Sequence, residues 1–228
     1  MRAEDRSVLS FKDRKEGNRC YLAVDGELEV LKWLGSSSTD LRCGLPGSLG
    51  RRLLAGDEIP LCAMNYGVYT SNVIISRSLI PKYSRFPTVR VIKGPEFSRL
   101  SENAARELFD QQFTISPDSN RMGFRLKGQT ISILDTTEML SSGVTFGTVQ
   151  LLPNGQLVVL MADHQTTGGY PRILQVCSVD LPLLAQLGTG DKIHFHPIEL
   201  AEAEQLAIDL QHNIKRLRVA TELRKALH

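Results

Sequence analysis

Two apolar runs joined by a tight turn constrain the fold of this chain more than any other feature. Residues 148–152 and 157–161 are separated by Pro153, Asn154 and Gly155, and these three residue types together are typical of a turn between paired strands. The spacing therefore predicts an antiparallel hairpin. Further short apolar runs, which predict more strands, occur at residues 88–92, 113–116, 124–126, 173–179 and around Ile193 and Phe195. The chain is predicted to be mainly β.

A few segments have the pattern of helices instead. Ser101 has the side chain of an N-cap for a helix that ends near Asp110, and Asp180 has that of a cap for a short helix ending before Gly188. Apolar residues between 200 and 217 recur every three or four positions, which predicts a C-terminal amphipathic helix. We expect its apolar stripe to dock on the chain's own sheet rather than on another polypeptide.

The first third of the chain has weaker signals. Strands are predicted at residues 8–11, 19–24 and 28–31, with a hairpin turn at Asp25 and Gly26. Residues 64–87 have no clear pattern, and we interpret them as a linker between two sheet units, with a boundary near Arg85. The predicted domains are therefore residues 1–85 and residues 86–228.

Charge and composition exclude several classes of protein. The 228 residues include 27 Lys and Arg against 25 Asp and Glu, so we expect neither a nucleic-acid partner nor a membrane partner. The four cysteines lie far apart, no signal peptide is apparent, and no apolar run approaches the about 20 residues needed to span a bilayer. We expect reduced thiols and a cytoplasmic protein.

Several common catalytic motifs are missing from the sequence. It has no phosphate-binding loop, no dinucleotide-binding glycine motif and no nucleophile elbow. His194 and His196 would share one strand face, but no third ligand lies nearby in the sequence, and we expect no metal site.

The loop after the hairpin is the first candidate site. An acid, an amide, two hydroxyls and two glycines follow the apolar run directly, before Tyr170 and Pro171. Glycines allow a bend or the close approach of a ligand, and the polar groups supply donors and acceptors. An ordinary hairpin loop is the alternative interpretation, and composition alone weights the two about equally.

A second polar cluster covers residues 116–125. Either Arg121 or Arg125 could form a bidentate pair with the carboxylate or phosphate of a substrate. The alternative, with equal weight, is an arginine paired with an internal acid such as Asp163. A third cluster, at residues 36–40, is more typical of a loop or a helix cap.

A series of sequence blocks resembles the carboxyltransferase-domain family. The blocks occur in order between about residues 8 and 195, and the most specific are Asn120-Arg-Met-Gly123 and Gln165-Thr-Thr-Gly-Gly-Tyr-Pro171, with Gly94-Pro-Glu96, Ser142-Gly-Val144, Gln150 and Ala162-Asp163 among the others. The resemblance implies a cyclophilin-like β-barrel formed roughly by residues 89–197. It also implies an N-terminally truncated member, in which the first barrel is an incomplete remnant with unpaired edges.

The resemblance further implies an activity and its partners. The leading expectation is the C subunit of an ATP-dependent 5-oxoprolinase. With the B subunit, a kinase-inhibitor-like protein, it would activate the lactam of 5-oxoproline, and ring opening to glutamate would then be completed by the A subunit. One alternative is a biotin-dependent carboxyltransferase component acting on urea or another amide. The other is a non-catalytic antagonist of a sporulation-kinase inhibitor.

The cofactor expectations follow from the same resemblance. The sequence has no biotin-accepting Met-Lys-Met-like motif, so any biotin would arrive on another chain. ATP, in contrast, would be shared with the B subunit.

Activation of an amide creates charge, and this assigns expected roles to the candidate residues. Arg121 would hold a carboxylate or phosphoryl oxygen, and Asp163 would orient Arg121 or accept a proton. Backbone N–H groups and hydroxyls of the loop would stabilise charge, and glutamines would recognise the amide edge, with Tyr170 either binding or packing. The expected catalytic residues are Arg121, Asp163, Gln165, Thr166 and Thr167, and the expected substrate-binding residues are Asn120, Gln150, Gly168, Gly169 and Tyr170.

Overall fold

A computed structural model describes residues 6–24, 26–41, 43–45, 49–62, 76, 79–135, 137 and 139–226. The chain divides into two compact units, of which the first comprises Met1–Ser7 and Cys20–Ser76 and the second comprises Val8–Arg19 and Arg77–His228. The domain limits near Arg85 stay a prediction.

In the first unit, the structure describes a short two-stranded antiparallel sheet. Strand β1 is Glu27–Leu28 and strand β2 is Leu61–Cys62, with Glu27 opposite Cys62. The predicted strand at residues 28–31 is therefore limited to its first residue, and the one at residues 19–24 is wrong. The predicted turn residue Asp25 and residues 64–75, 77 and 78 of the predicted linker lie outside the described residues.

The second unit is built on a closed barrel of seven strands. The strands are β3 (Thr88–Lys93), β4 (Phe113–Ile115), β5 (Gly123–Lys127), β7 (Thr148–Leu151), β8 (Leu157–Leu160), β10 (Arg172–Val176) and β11 (Lys192–Pro197). Their order around the barrel is β10, β3, β11, β4, β5, β8 and β7, and β11 and β3 are the parallel pair. Two further strands, β6 (Ser142–Gly143) and β9 (Thr167–Gly168), form a separate two-stranded ribbon.

Alternation of apolar and polar residues places one face of each strand in the barrel core. Val89 and Val91 of β3, and Ile193 and Phe195 of β11, are completely buried. The ring of Phe195 packs against that of Phe113, with centroids 5.5 Å apart. The β7–β8 hairpin forms as predicted, with Gln150 opposite Val158. The predicted mainly β fold with a barrel and a C-terminal helix is confirmed.

Three α-helices are present in the described part of the chain. They are α1 (Glu102–Asp110), α2 (Leu181–Ala185) and α3 (Leu200–Ala226). Ser101 caps α1 as predicted, because its side chain accepts a hydrogen bond from the Ala104 backbone N–H. Asp180 occupies the predicted cap position of α2, but its carboxylate makes no capping hydrogen bond. It binds the backbone N–H, Nε and Nη2 of Arg90 instead.

Residues 8–11 are not a strand, contrary to prediction. They begin a segment of the second unit that is attached by side chains rather than by a strand ladder. Arg14 donates to the buried carboxylate of Asp191 at 2.8 Å. The backbone N–H groups of Asn18 and Arg19 both donate to Oε1 of Gln186. These donors are thus satisfied without a partner strand, which local sequence patterns do not reveal.

The expected docking of α3 on the sheet is also wrong. None of the α3 side chains that the structure describes, from Leu200 to Leu223, is buried. The helix contacts the 3-10 turn Ser178–Asp180, which precedes α2. The periodic apolar pattern predicted the helix correctly but not what lies against it.

Candidate functional site

Most of the predicted site residues lie in two segments of the second unit. Asn120 and Arg121 lie in the turn between β4 and β5, and the loop of residues 161–171 joins β8 to β10. Gln150 lies in β7. The next residue of this strand, Leu151, donates its N–H to the carbonyl oxygen of Pro171 at the end of the loop, so the strand and the loop lie side by side. The residues fall into two groups with different environments.

The first group is the exposed ion pair of Arg121 and Asp163, which we call the arginine–aspartate pair. Nε and Nη2 of Arg121 donate to the two carboxylate oxygens of Asp163 at 2.6 and 2.9 Å. The Asp163 backbone N–H also donates to the carbonyl oxygen of Arg121 at 2.8 Å. Their side chains are 59% and 42% exposed. Sequence left open whether Arg121 pairs with an internal acid, and in this structure it does.

Asn120 shapes the turn that carries Arg121. Its side-chain oxygen accepts a hydrogen bond from the Met122 N–H at 2.8 Å, and its own N–H donates to the carbonyl oxygen of Gly123. Such a bond from an asparagine to the backbone two residues ahead stabilises a tight turn. Asn120 therefore holds the backbone on which Arg121 is placed.

The second group surrounds the buried side chain of Gln150. We call Gln150, Gly168 and Tyr170 the amide cluster. Gln150 is 2% exposed, and its Nε2 lies 3.4 Å from the carbonyl oxygen of Tyr170, to which it donates. A Cβ atom on Gly168 would lie 2.6 Å from this same Nε2. The absence of a side chain at Gly168 is thus what allows the ribbon to lie against the buried amide.

The ribbon of β6 and β9 carries the other loop residues that were predicted. Ser142 pairs with Gly168 and Gly143 pairs with Thr167, while the Val144 N–H donates to the carbonyl oxygen of Thr166. The side chains of Gln165, Thr166 and Thr167 are exposed, Gly169 is half-buried and Tyr170 is 44% exposed. The predicted residues therefore present polar groups to solvent above a buried glutamine.

Two residues that support the ribbon were not predicted. Arg172 donates from Nη1 to the carbonyl oxygen of Gly143 at 3.0 Å, and from Nε, Nη2 and its backbone N–H to the Glu96 carboxylate. The Arg172 hydrogen bond holds the pKa of Glu96 below its ordinary value. The Gly94-Pro-Glu96 block was a sequence signal for Glu96, whereas nothing in the sequence singled out Arg172.

Ser142 is a further residue that sequence reasoning did not assign. Its Oγ is buried and has no hydrogen-bond partner within the part of the chain that the structure describes. It lies on β6 opposite Gly168, beside the amide cluster. Buried hydroxyls normally have a hydrogen-bond partner.

Several residues of the second polar cluster, residues 116–125, line a cavity that includes neither the arginine–aspartate pair nor the amide cluster. Its volume is about 370 Å³, and Ser116, Asp118, Arg125, Lys127 and Gln156 are among the lining residues. Arg125 thus faces a cavity, whereas Arg121 of the same cluster pairs with Asp163. Among the described residues, no group of three or more His, Cys, Asp or Glu side chains is placed to hold a metal ion.

The fold and the loop together define the class of protein. It is a β-barrel domain in which the glycine-containing β6–β9 ribbon packs against strand β7. The chain belongs to the carboxyltransferase-domain family, since residues 1–197 match the family model described as "Carboxyltransferase domain, subdomain A and B". None of the helices that the structure describes is long and apolar enough to cross a membrane.

Two relatives and one solved structure illustrate this membership. The chain is 36% identical over 209 residues to the C subunit of 5-oxoprolinase from Escherichia coli strain K12, covering 92% of this chain and 66% of that protein. It is 27% identical over 197 residues to a "Putative urea carboxylase" of Emericella nidulans, covering 82% of this chain and 16% of that protein. The K. lactis urea amidolyase structure superposes with a TM-score of 0.79 at 24% identity, over 89% of this chain and 13% of that one. The chain thus spans just under two thirds of the length of the E. coli relative.

Proposed function

We propose that this chain is the C subunit of an ATP-dependent 5-oxoprolinase, in which it acts with the B subunit to activate the lactam of 5-oxoproline. The observation that carries the proposal is the 36% identity to a protein of that name across 92% of the chain. The reaction acts on an amide, and the loop that matches the family lies against a buried amide side chain. Ring opening to glutamate would be completed by the A subunit, and we place the complex in the cytoplasm.

The amide cluster supports a role in substrate recognition. A site that hydrogen-bonds the N–H and C=O groups of a substrate discriminates strongly against molecules that lack them. Gln150 is fixed by Tyr170 and Gly168, so its amide keeps one orientation. Gln150 is 2% exposed, so in our proposal it holds the loop from which Gln165 recognises the lactam edge. The Thr166 and Thr167 hydroxyls with the Gly168 and Gly169 N–H groups stabilise the charge that develops on the lactam oxygen.

The arginine–aspartate pair supports a role in holding an anion. Two hydrogen bonds to Asp163 fix the plane of the Arg121 guanidinium, and a fixed guanidinium suits the planar oxygens of a carboxylate or phosphoryl group. In our proposal Arg121 contacts the substrate carboxylate or a phosphoryl oxygen of ATP, a co-substrate shared with the B subunit. Asp163 orients Arg121 or accepts a proton.

An Arg121→Ala variant tests this proposal in the complex reconstituted with the A and B polypeptides. We expect loss of 5-oxoproline-dependent ATP turnover, with the thermal unfolding of the variant close to that of the wild type because the pair is exposed. Arg106→Ala is the matched control, since Arg106 is an exposed arginine on α1 paired with Glu102. Unchanged turnover in Arg121→Ala would remove Arg121 from the site, and no turnover in the wild-type complex would reject the function.

A biotin-dependent carboxyltransferase component is the second candidate, favoured by the relative named as a putative urea carboxylase. Carboxybiotin-dependent labelling of urea or another amide by the chain would support it over the first candidate. The third candidate, a non-catalytic antagonist, predicts binding to a kinase inhibitor without either turnover.

A further inference from the structure

The cavity beside strand β5 contains two basic side chains that the function proposed above does not use. We call it the β5 cavity. Its volume is about 370 Å³, and the lining residues that the structure describes are Ser116, Asp118, Arg125, Leu126, Lys127 and Gln156. Cavities that bind small molecules typically have volumes of about 300 to 1,000 Å³. The β5 cavity is therefore large enough for a small-molecule ligand.

Strand alternation places the two basic side chains of β5 next to each other. Phe124 and Leu126 are 3% and 2% exposed and belong to the barrel core, so Arg125 and Lys127 lie on the opposite face of the strand, where both are exposed. Their Cα atoms are about 7 Å apart, as expected for alternate residues of a strand. Within the part of the chain that the structure describes, neither side chain forms an ion pair with a carboxylate. An anion bound between them would relieve the repulsion between the two cations.

The backbone that carries these cations is fixed. The Arg125 N–H donates to Oγ of Ser119 at 3.0 Å, and the Arg125 carbonyl oxygen accepts from the Ser119 hydroxyl and from the Ser116 N–H. Lys127 is paired with Thr114 of β4. A rigid base reduces the entropy that is lost when a ligand binds.

The other polar groups of the β5 cavity supply one further donor and one acceptor. Oε1 of Gln156 accepts a hydrogen bond from Asn154, which leaves the Gln156 Nε2 group as a donor. Ser116 is 3% exposed, and its hydroxyl donates to Oδ2 of Asp118 at 3.3 Å and so fixes this carboxylate. An ionised carboxylate only accepts hydrogen bonds, and a ligand hydroxyl can donate to it.

We propose that the β5 cavity binds the phosphate ester of a small polyhydroxylated molecule, such as a sugar phosphate. A phosphoryl dianion matches the charges of Arg125 and Lys127, and its three terminal oxygens accept from these two side chains and from Nε2 of Gln156. A carboxylate has a single charge and two oxygens, so it would leave one donor without a partner. A hydroxyl of the same ligand donates to Asp118. This inference is independent of the proposed function, because the two depend on different residues.

Titration calorimetry of the full chain with ribose 5-phosphate tests the basic side of the cavity. We expect the wild type to bind this probe with a Kd of at most about 1 mM and not to bind ribose. Arg125→Gln and Lys127→Gln should each weaken binding by about tenfold or more, because each removes a charge-assisted hydrogen bond. Arg106→Gln is the matched control, since Arg106 is an exposed arginine of α1 that is not among the lining residues, and it should bind like the wild type. Thermal unfolding reports whether each variant keeps the fold.

Inorganic phosphate as a second probe tests the role of Asp118. We expect the wild type to bind it more weakly than ribose 5-phosphate, because it lacks the sugar hydroxyls. Asp118→Asn keeps an acceptor for the Ser116 hydroxyl but removes the negative charge, so it should strengthen the binding of inorganic phosphate and reduce the preference for ribose 5-phosphate. The proposal is overturned if the wild type does not bind ribose 5-phosphate, if Arg125→Gln and Lys127→Gln leave binding unchanged, or if the wild type binds both probes equally well.

Discussion

The amide cluster and the arginine–aspartate pair each join a residue outside the β8–β10 loop to residues within it, but the protein holds them in opposite ways. Gln150 is 2% exposed and is enclosed by backbone atoms of the loop. Arg121 and Asp163 are 59% and 42% exposed and are held by each other. Burial of a neutral amide makes its position depend on packing, whereas an exposed ion pair depends on solvent and salt.

Because of this difference, substitutions in the two groups should affect protein stability and catalytic activity differently. Changes around Gln150 should alter folding and activity together, because the ribbon and the buried amide share one packing arrangement. Changes in the arginine–aspartate pair should alter activity alone, because exposed pairs contribute little to folding. Three substitutions, from the largest expected effect on the free energy of unfolding to the smallest, test this contrast.

Glu96→Gln should have the largest effect. The Glu96 and Arg172 side chains are 15% and 22% exposed, so removing the carboxylate leaves a mostly buried guanidinium without its charge partner, at a cost of about 2 kcal/mol. Chemical denaturation measures the loss, and Glu102→Gln, in the exposed pair on α1, is the control. An equal loss in both variants would show that burial does not matter here.

The same pair gives a pH dependence with a definite sign. The Arg172 hydrogen bond holds the pKa of Glu96 below its ordinary value of 4.5, so folding favours the carboxylate. Its contribution is present above about pH 4.5 and is lost as the pH falls through the lowered pKa of the folded state. Wild-type stability should therefore fall more steeply below this pH than that of Glu96→Gln.

Gly168→Ala should have the next largest effect. Its Cβ would lie 2.6 Å from Nε2 of Gln150, so the amide or the ribbon must move, which we expect to cost about 1 kcal/mol and to reduce turnover. Gly143→Ala, on the partner strand of the ribbon, is the control because its Cβ would meet nothing within 4 Å. Thermal unfolding and activity measure both effects, and equal behaviour of the two variants would contradict a packing role for Gly168.

Asp163→Asn should have the smallest effect on stability. Because both partners are exposed and screened, the free energy of unfolding should change by less than about 0.5 kcal/mol. Turnover of the reconstituted complex should nevertheless fall, since the Arg121 guanidinium loses the carboxylate that orients it. Denaturation and activity are compared in the same preparation. A large loss of stability would show that the arginine–aspartate pair, like the amide cluster, contributes to folding.

Local signals in the sequence predicted much of the barrel. Strand alternation located β3, β5 and β11, and Pro153, Asn154 and Gly155 located the turn of the β7–β8 hairpin. These signals work because side-chain direction and turn geometry depend on neighbouring residues. The predicted strands at residues 8–11 and 19–24 failed because apolar residues alone do not supply a partner strand.

The candidate site was predicted less completely. The loop residues and the pairing of Arg121 with Asp163 were among the possibilities raised from sequence. The pairing of β6 with β9, and the support from Glu96 and Arg172, were not, since the last two residues are 76 positions apart. Contacts at such separation have no local periodicity to indicate them.

The sequence by itself determined the mainly β character of this protein, its hairpins and the polar residues of its loop, because these depend on the conformations available to short segments. Only the tertiary structure decided that Gln150 is buried while Arg121 is exposed, and that several apolar side chains of α3 lie in solvent. Burial depends on which distant segments cover a residue, and the free energy of that packing is a property of the whole fold.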